Sequence, residues 1–402
     1  MISNRARSLA PSETMKISGM AKEMQQAGKS VISLSQGEPD FKTPAHICEA
    51  GKKAIDDGHH GYTMNPGSSS LREAITAKLK RENELDFDVS QIVVSNGAKQ
   101  SVGFSLLALV DEGDEVIIPA PYWVSYPAMT QLAGGTPNVV RTTFESGYKL
   151  TPAQLEEHIT PKTKVLILCS PSNPTGSCYT AGELRALAEV LRRHPQVVVL
   201  SDEIYEYIVF DAPHVSMLQV APDLKERFVL VNGFSKGFAM TGWRLGYIAA
   251  PAQVAKALAK IQSQETSAPS SISQFAGEQA YNQQEKSTEA VAYMRKAFAK
   301  RRSYFVEALN AIEGVHCFMP GGAFYAFPDI SAYLGSKTPD GELIDNSTAL
   351  CMYLIEHHGL AIVPGDAFGE PNGVRLSYSA SMETLKEGIE RLKTGLSSLS
   401  KS

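Results

Sequence analysis

Hydrophobic positions along the first three quarters of the chain fall into two alternating patterns. Short runs of β-branched and aliphatic residues, each stopped by Gly, Pro, Asn, Asp or Ser, predict strands at QIVVS (91–95), DEVIIPA (114–120), KVLILCS (164–170), QVVVLSDE (196–203) and FVLVNGF (228–234). Between them, AKQSVGFSLLALV (98–110) and ELRALAEVLRRH (183–194) carry the spacing of helices. Strands that are apolar on both faces and joined by helices predict an α/β fold, with a mostly parallel sheet sandwiched by helices. After about residue 285 the pattern changes. AVAYMRKAFAKRRSYFVEALNAI (290–312) predicts a long helix, then come short strands in GAFYAFP, LAIVPG and GVRLSYS, and a last helix starts at about Met382. The expected organisation is an N-terminal arm over 1–47, a large sheet domain over 48–290 and a smaller α+β domain over 291–402 that the arm joins.

Composition narrows the function classes. The 402 residues are 43% hydrophobic and 20% charged, ordinary for a globular chain with ample core. A net charge of −5 offers no basic field for nucleic acid or an anionic membrane. The five cysteines, Cys48, Cys169, Cys178, Cys317 and Cys351, are scattered and contain no C-x-x-C. That argues against a disulfide framework and a zinc site and for reduced thiols. The apolar runs are too short to span a bilayer, and the first residues lack the apolar core of a signal peptide. A cytoplasmic protein without a bound metal is expected.

In open α/β sheets, ligands bind beyond the carboxyl ends of the strands. The predicted strands end in SNGAKQ, PAPYW, SPSNPTG, SDEIY and NGFSK. In SNGAKQ a glycine turn opens a helix, so the N–H groups of Gly97, Ala98 and Lys99 are candidates for binding a phosphate. Neither a Walker spacing nor G-x-G-x-x-G is present. Taken singly, Asp202 reads as a loop acid or helix cap, Asn173 as part of a rigid turn and Trp123 as core. Together with Tyr205 and Lys236 they bring an anion cradle, an acid, a phenol, a carboxamide, a broad ring and an amine to one sheet edge. A planar aromatic aldehyde phosphate needs that set.

The motifs LSQGEPDF (34–41), GYTMNPGSSSLREAI (61–75), SNGAKQS, PYWVSYP, SPSNPTG, SDEIYE, SKGFAMTGWRLGY, GGAFYAF and VRLSYS occur in this order across essentially the whole chain. They resemble the class I/II aminotransferases of the pyridoxal-phosphate fold type I family, most closely the prokaryotic-type aspartate aminotransferase branch. The resemblance implies that Lys236 carries pyridoxal 5'-phosphate and then serves as general base. Arg244 and the amides at 97–99 would clamp the phosphate. Asp202 would face the pyridine nitrogen, Tyr205 and Asn173 the phenolic oxygen, and Trp123 the ring face. Arg375 would grip the substrate α-carboxylate, with backbone help from Gly37. Tyr62 would reach across a homodimer interface to the partner's phosphate.

The implied reaction is a ping-pong transfer of an amino group from an L-amino acid to a 2-oxo acid such as 2-oxoglutarate. Aspartate is the expected donor, with Ser12, Thr14 and Lys99 serving its second carboxylate. Ala10 stands where relatives that accept prephenate carry a basic residue, which argues against that activity. Aromatic or alanine transamination and a β-lyase reaction on the same fold stay open. A regulatory protein without turnover is disfavoured, because no spare length or basic segment is present for a DNA-binding domain.

Overall fold

The apolar runs assemble into a seven-stranded sheet. The computed structural model describes residues 2, 3, 6, 7, 9 and 13–400. A short strand β1 (Ile32–Ser33) comes first. The sheet is then built from β2 (Ile92–Ser95), β3 (Glu115–Ala120), β4 (Thr136–Arg141), β5 (Thr163–Cys169), β6 (Val198–Asp202), β7 (Phe228–Gly233) and β8 (Gly246–Ala249). Their spatial order is β2-β8-β7-β6-β5-β3-β4. All neighbours run parallel except β8, which is antiparallel to both β2 and β7.

Alternate residues on each strand enter different cores. Val116, Val165, Leu200, Val229 and Val231 pack on one face of the sheet, and Ile117, Leu166, Val199 and Leu230 on the other. Both sets are buried, which is why these strands read as continuous apolar runs rather than as alternating ones. Each fully buried aliphatic side chain contributes on the order of 1.5–3 kcal/mol. The register is thereby fixed, because a one-residue slip would exchange the two faces. The helix Ala181–Arg193 between β5 and β6 starts at a capping box: Thr180 accepts from the Glu183 N–H, and the Glu183 carboxylate accepts from the Thr180 N–H.

The C-terminal part forms a separate cluster around Phe305, Phe324, Leu354, Leu376 and Leu392. Its strands are β9 (Tyr325–Ala326), β10 (Leu360–Ala361), β11 (Val363–Pro364) and β12 (Val374–Ser377). β12 lies antiparallel between β11 and β9, while β1 pairs in parallel with β10. The pairing of β1 with β10 ties the segment at Ile32–Ser33 to the C-terminal lobe. The helix Gln284–Asn310 crosses the expected boundary near 290 and contributes Phe298, Phe305 and Leu309 to the C-terminal cluster. Among the described residues no helix is long and apolar enough to cross a membrane. All five cysteines are unpaired.

Candidate active site

The carboxyl ends of β2, β3, β5, β6 and β7 open on one cavity of about 640 Å³, closed on its other side by the 37–38 loop, β9 and β12. From the sheet it is lined by Ala98, Lys99, Trp123, Asn173, Asp202, Tyr205, Lys236 and Arg244. Gly37 and Arg375 line it from the facing side. Gly97 lies just behind Arg244. Tyr62 does not line its own chain's cavity and is 96% exposed. Ser12 and the side chain of Thr14 fall outside the described residues.

Three groups in this cavity carry charges that the protein leaves unbalanced. Asp202 ends β6 and is buried; its Oδ2 accepts from the Tyr126 hydroxyl at 2.7 Å and its Oδ1 from the Ile204 N–H at 3.3 Å. Among the described residues no cation lies within ion-pair distance of it. Burial pushes its pKa up to about 6, against the pull of those two hydrogen bonds. Lys236 follows β7 and donates from Nζ to the Gly37 carbonyl oxygen. Its pKa falls to about 8, first because of burial; Glu38 opposes that shift, Arg375 and Arg244 reinforce it, and Asp202 opposes it. Arg375 is buried on β12, donating to the Asn173 Oδ1 at 3.0 Å and the Ser35 carbonyl oxygen at 2.6 Å. Its Nε has no partner, and no carboxylate of the described residues pairs with it.

The arginine's bond to Asn173 fixes the orientation of that amide. A guanidinium only donates, so the oxygen of Asn173 must face it. The amide nitrogen makes no protein hydrogen bond among the described residues and is left for a ligand.

At the opposite end, the helix Ala98–Leu109 begins with Gly97 at φ +80°. A side chain at Gly97 would put its Cβ 2.3 Å from the Arg244 Nη2, so only glycine lets the guanidinium lie against the helix start. Arg244 donates to the Thr241 carbonyl oxygen at 2.8 Å and the Asn96 carbonyl oxygen at 3.3 Å. One detail differs from the sequence reading. The Gly97 N–H is engaged by the Ser95 carbonyl oxygen at 2.8 Å, so the open donors of the turn are Ala98 and Lys99. Arg244 itself is exposed at the rim of the cavity and has a left-handed backbone at φ 52°.

Lys99 lies over the Trp123 ring at 5.3 Å, and its pKa is lowered by burial and then by Arg244. Tyr205 bonds the hydroxyl of Tyr325 at 2.8 Å. Tyr126, Tyr325 and Ser235 also line the cavity, and the sequence reading does not single them out. Tyr126 had one available signal: it stands three residues after Trp123, the spacing that brings two rings edge to face at 5.3 Å. Among the described residues no group of three or more His, Cys, Asp or Glu could hold a metal ion.

This arrangement suits a flat, doubly anionic ligand with a basic ring nitrogen and a carbonyl. The buried carboxylate lacks a cation, the helix start and Arg244 lack an anion, and a partly deprotonated amine lies between them. Pyridoxal phosphate meets each requirement, and Arg375 remains free for a carboxylate.

The fold and these side chains define a transaminase-type site, and comparison with known proteins agrees. The model of the family "Aminotransferase class I and II" matches residues 29–392, and the chain belongs to that family. It is 50% identical over 396 residues to the bifunctional aspartate aminotransferase and glutamate/aspartate-prephenate aminotransferase of Petunia hybrida, covering 98% of this chain and 82% of that protein. It is 44% identical to the aspartate/prephenate aminotransferase of Nitrosomonas europaea, over 98% of this chain and 100% of that one. Among solved structures, the aspartate aminotransferase of Rhizobium meliloti superposes with a TM-score of 0.96 at 44% identity, over the full length of both chains. The Thermus thermophilus aspartate aminotransferase with maleate superposes at 0.92 and 38% identity, over 98% of this chain and 99% of that one. The protein is thus an aminotransferase of the prokaryotic-type aspartate aminotransferase branch.

Proposed function

We propose that the chain transfers the amino group of L-aspartate to a 2-oxo acid such as 2-oxoglutarate, with pyridoxal phosphate held on Lys236. The observation that carries this reading is the cavity's set of unbalanced groups: an acid without a cation, an amine with a lowered pKa and a buried guanidinium without an anion. Buried charges of this kind are costly unless a ligand completes them. When bound, the cofactor supplies an electron-withdrawing ring that accepts the electron pair left at the substrate Cα.

The chain's own residues do the rest. Asp202, oriented by Tyr126, holds a proton on the ring nitrogen. Ala98, Lys99 and Arg244 take the phosphate with backbone N–H groups and a guanidinium fork. The Asn173 amide and the Tyr205 hydroxyl would donate to the ring oxygen, and Trp123 would cover the ring face. Arg375 binds the substrate α-carboxylate and orients its Cα–H toward Lys236. Once the substrate's own amine has displaced it from the cofactor, the free amine of Lys236 would move that proton. Lowering its pKa from the ordinary 10.5 to about 8 raises the neutral fraction at pH 7 by roughly two to three orders of magnitude.

The choice of aspartate rests on Lys99, the cation that stands on the far side of the cavity from Arg375. The Thermus relative's structure with maleate, a four-carbon dicarboxylate, supports a second carboxylate site in this branch. Ser12 and Thr14 would complete that site. The working unit would be a homodimer in the cytoplasm, each chain divided into lobes at 48–290 and 291–402 with the arm 1–47 on the smaller one. Tyr62 at 96% exposure and Met64 at 61% form an apolar tip that a second copy would cover. The buried Gln262 and Gln274 brace this loop through the Asn65 carbonyl oxygen and the Thr63 hydroxyl. Tyr62 would then reach the partner's phosphate.

The test is the visible spectrum of protein loaded with pyridoxal phosphate. Aspartate should bleach the band and 2-oxoglutarate should restore it. No bleaching, or alanine and phenylalanine bleaching as readily as aspartate, would contradict the reading.

A further inference from the structure

Tyr205 and Tyr325 meet hydroxyl to hydroxyl at 2.8 Å, both buried, with rings edge to face at 5.8 Å and 78°. Neither hydroxyl has another hydrogen-bond partner among the described residues. A phenol has one proton to give and can also accept. If Tyr205 donates to Tyr325, it has nothing left for a ligand. If Tyr325 donates to Tyr205, the single proton of Tyr205 is free to point into the cavity.

The surroundings of Tyr325 favour the second arrangement. It sits on β9 opposite Ser377, two residues along β12 from Arg375. The Arg375 guanidinium carbon lies 4.6 Å from the Tyr325 ring centre. Lys236 lies over the Tyr205 ring at a longer 5.7 Å, so the closer and permanently charged guanidinium makes Tyr325 the better donor of the two. Above its hydroxyl stands Gly37, where a Cβ would come within 3.3 Å of the Tyr325 oxygen, so the substrate-side loop confines that group.

We propose that Tyr325 is a positioning residue: its hydroxyl donates to Tyr205 and so commits the only Tyr205 proton to the ring oxygen of the bound cofactor. This rests on the reading that pyridoxal phosphate occupies the cavity. A ring oxygen that loses a donor holds its negative charge less well, and a neighbouring basic nitrogen then keeps its proton to higher pH.

The experiment is a pH titration of the visible absorbance of cofactor-loaded protein, in wild type, Tyr325→Phe, Tyr205→Phe and the double variant. Phenylalanine keeps the ring beneath Arg375 and removes only the hydroxyl. Tyr325→Phe should move the midpoint upward by about half a pH unit, roughly threefold in the proton equilibrium. Tyr205→Phe should move it further, and the double variant should match Tyr205→Phe alone, because Tyr325 acts through Tyr205. An unmoved midpoint in Tyr325→Phe beside a shifted Tyr205→Phe would overturn the proposal and leave the cofactor reading standing. So would additive shifts in the double variant. A wild type that takes up no pyridoxal phosphate would overturn both.

Discussion

The two sides of the cavity are built differently. The sheet side, with Asp202, Lys236 and the start of the helix Ala98–Leu109, is mounted on strand ends whose neighbours are almost fully buried. The facing side, with Gly37, Tyr325 and Arg375, hangs on two- to four-residue strands of the C-terminal lobe and on a loop. Among the described residues, hydrogen bonds join the sides at the cavity between Lys236 and Gly37, Thr241 and Glu38, Arg375 and Asn173, and Tyr205 and Tyr325. In the proposed reading, proton chemistry rests mainly on the sheet, and recognition of the substrate α-carboxylate on the lobe opposite. Substitutions of Asp202 and Lys236 should act on turnover and on the cofactor, and that of Arg375 on substrate binding, while Lys99 on the sheet and Tyr325 opposite it reach across the division.

The largest expected effect is that of Lys236→Ala. Losing the positioned base should lower kcat by roughly 10²–10⁴-fold or more, with the visible cofactor band gone and the fold intact by circular dichroism.

Asp202→Asn separates stability from function. The folded-state pKa of Asp202, about 6, lies above its ordinary 3.8, so the native cofactor-free chain binds this proton more tightly than the unfolded chain does. The ionised carboxylate then costs stability above about pH 6, and the cost fades as pH falls through 6 toward 4. Cofactor-free Asp202→Asn should be more stable than wild type by up to about 3 kcal/mol at pH 8, with no difference near pH 4, by denaturant titration. The same substitution should lower turnover. A constant stability difference across pH would mean that burial of Asp202 is not the cause.

Arg375→Lys tests the facing side. Replacing a bidentate fork by a point charge should raise the KM for aspartate by roughly 10–100-fold, the worth of a charge-assisted hydrogen bond, with a smaller change in kcat. A fall in kcat alone would break the division between the two sides. The smallest effect is expected from Lys99→Met: the KM for aspartate should rise by about tenfold while that for alanine stays within about twofold.

The same contrast governs what could be read from sequence. The sheet side was legible because each parallel strand is an apolar run cut off by a turn residue, and those cuts are where Asp202, Asn173 and Lys236 stand. β4 escaped because TPNVVR is an edge strand that pairs with β3 alone, where polar residues and Pro137 are tolerated. β8 was hidden inside GWRLGYIAA, whose glycines look like a turn, although Gly246 is there to let the strand touch the backbone of Ala98. The long helix starts at Gln284, earlier than its apolar spacing suggests, because its first turn is polar and gives no periodic signal. Nothing in the sequence sets the hydroxyls of Tyr126 and Tyr325 apart from those of core aromatics. Their rings do pack like core, and only the fold reveals that their hydroxyls meet Asp202 and Tyr205. Ser12 and Thr14 gain no structural account, since Ser12 and the Thr14 side chain lie outside the described residues.

The central claim is that Lys236, of the two lysines in the cavity, carries the cofactor. Borohydride reduction of the loaded protein, followed by digestion and mass spectrometry, tests it directly. The account predicts one reduced pyridoxyl phosphate adduct, on the peptide containing Lys236. An adduct on Lys99, or none at all, would contradict it.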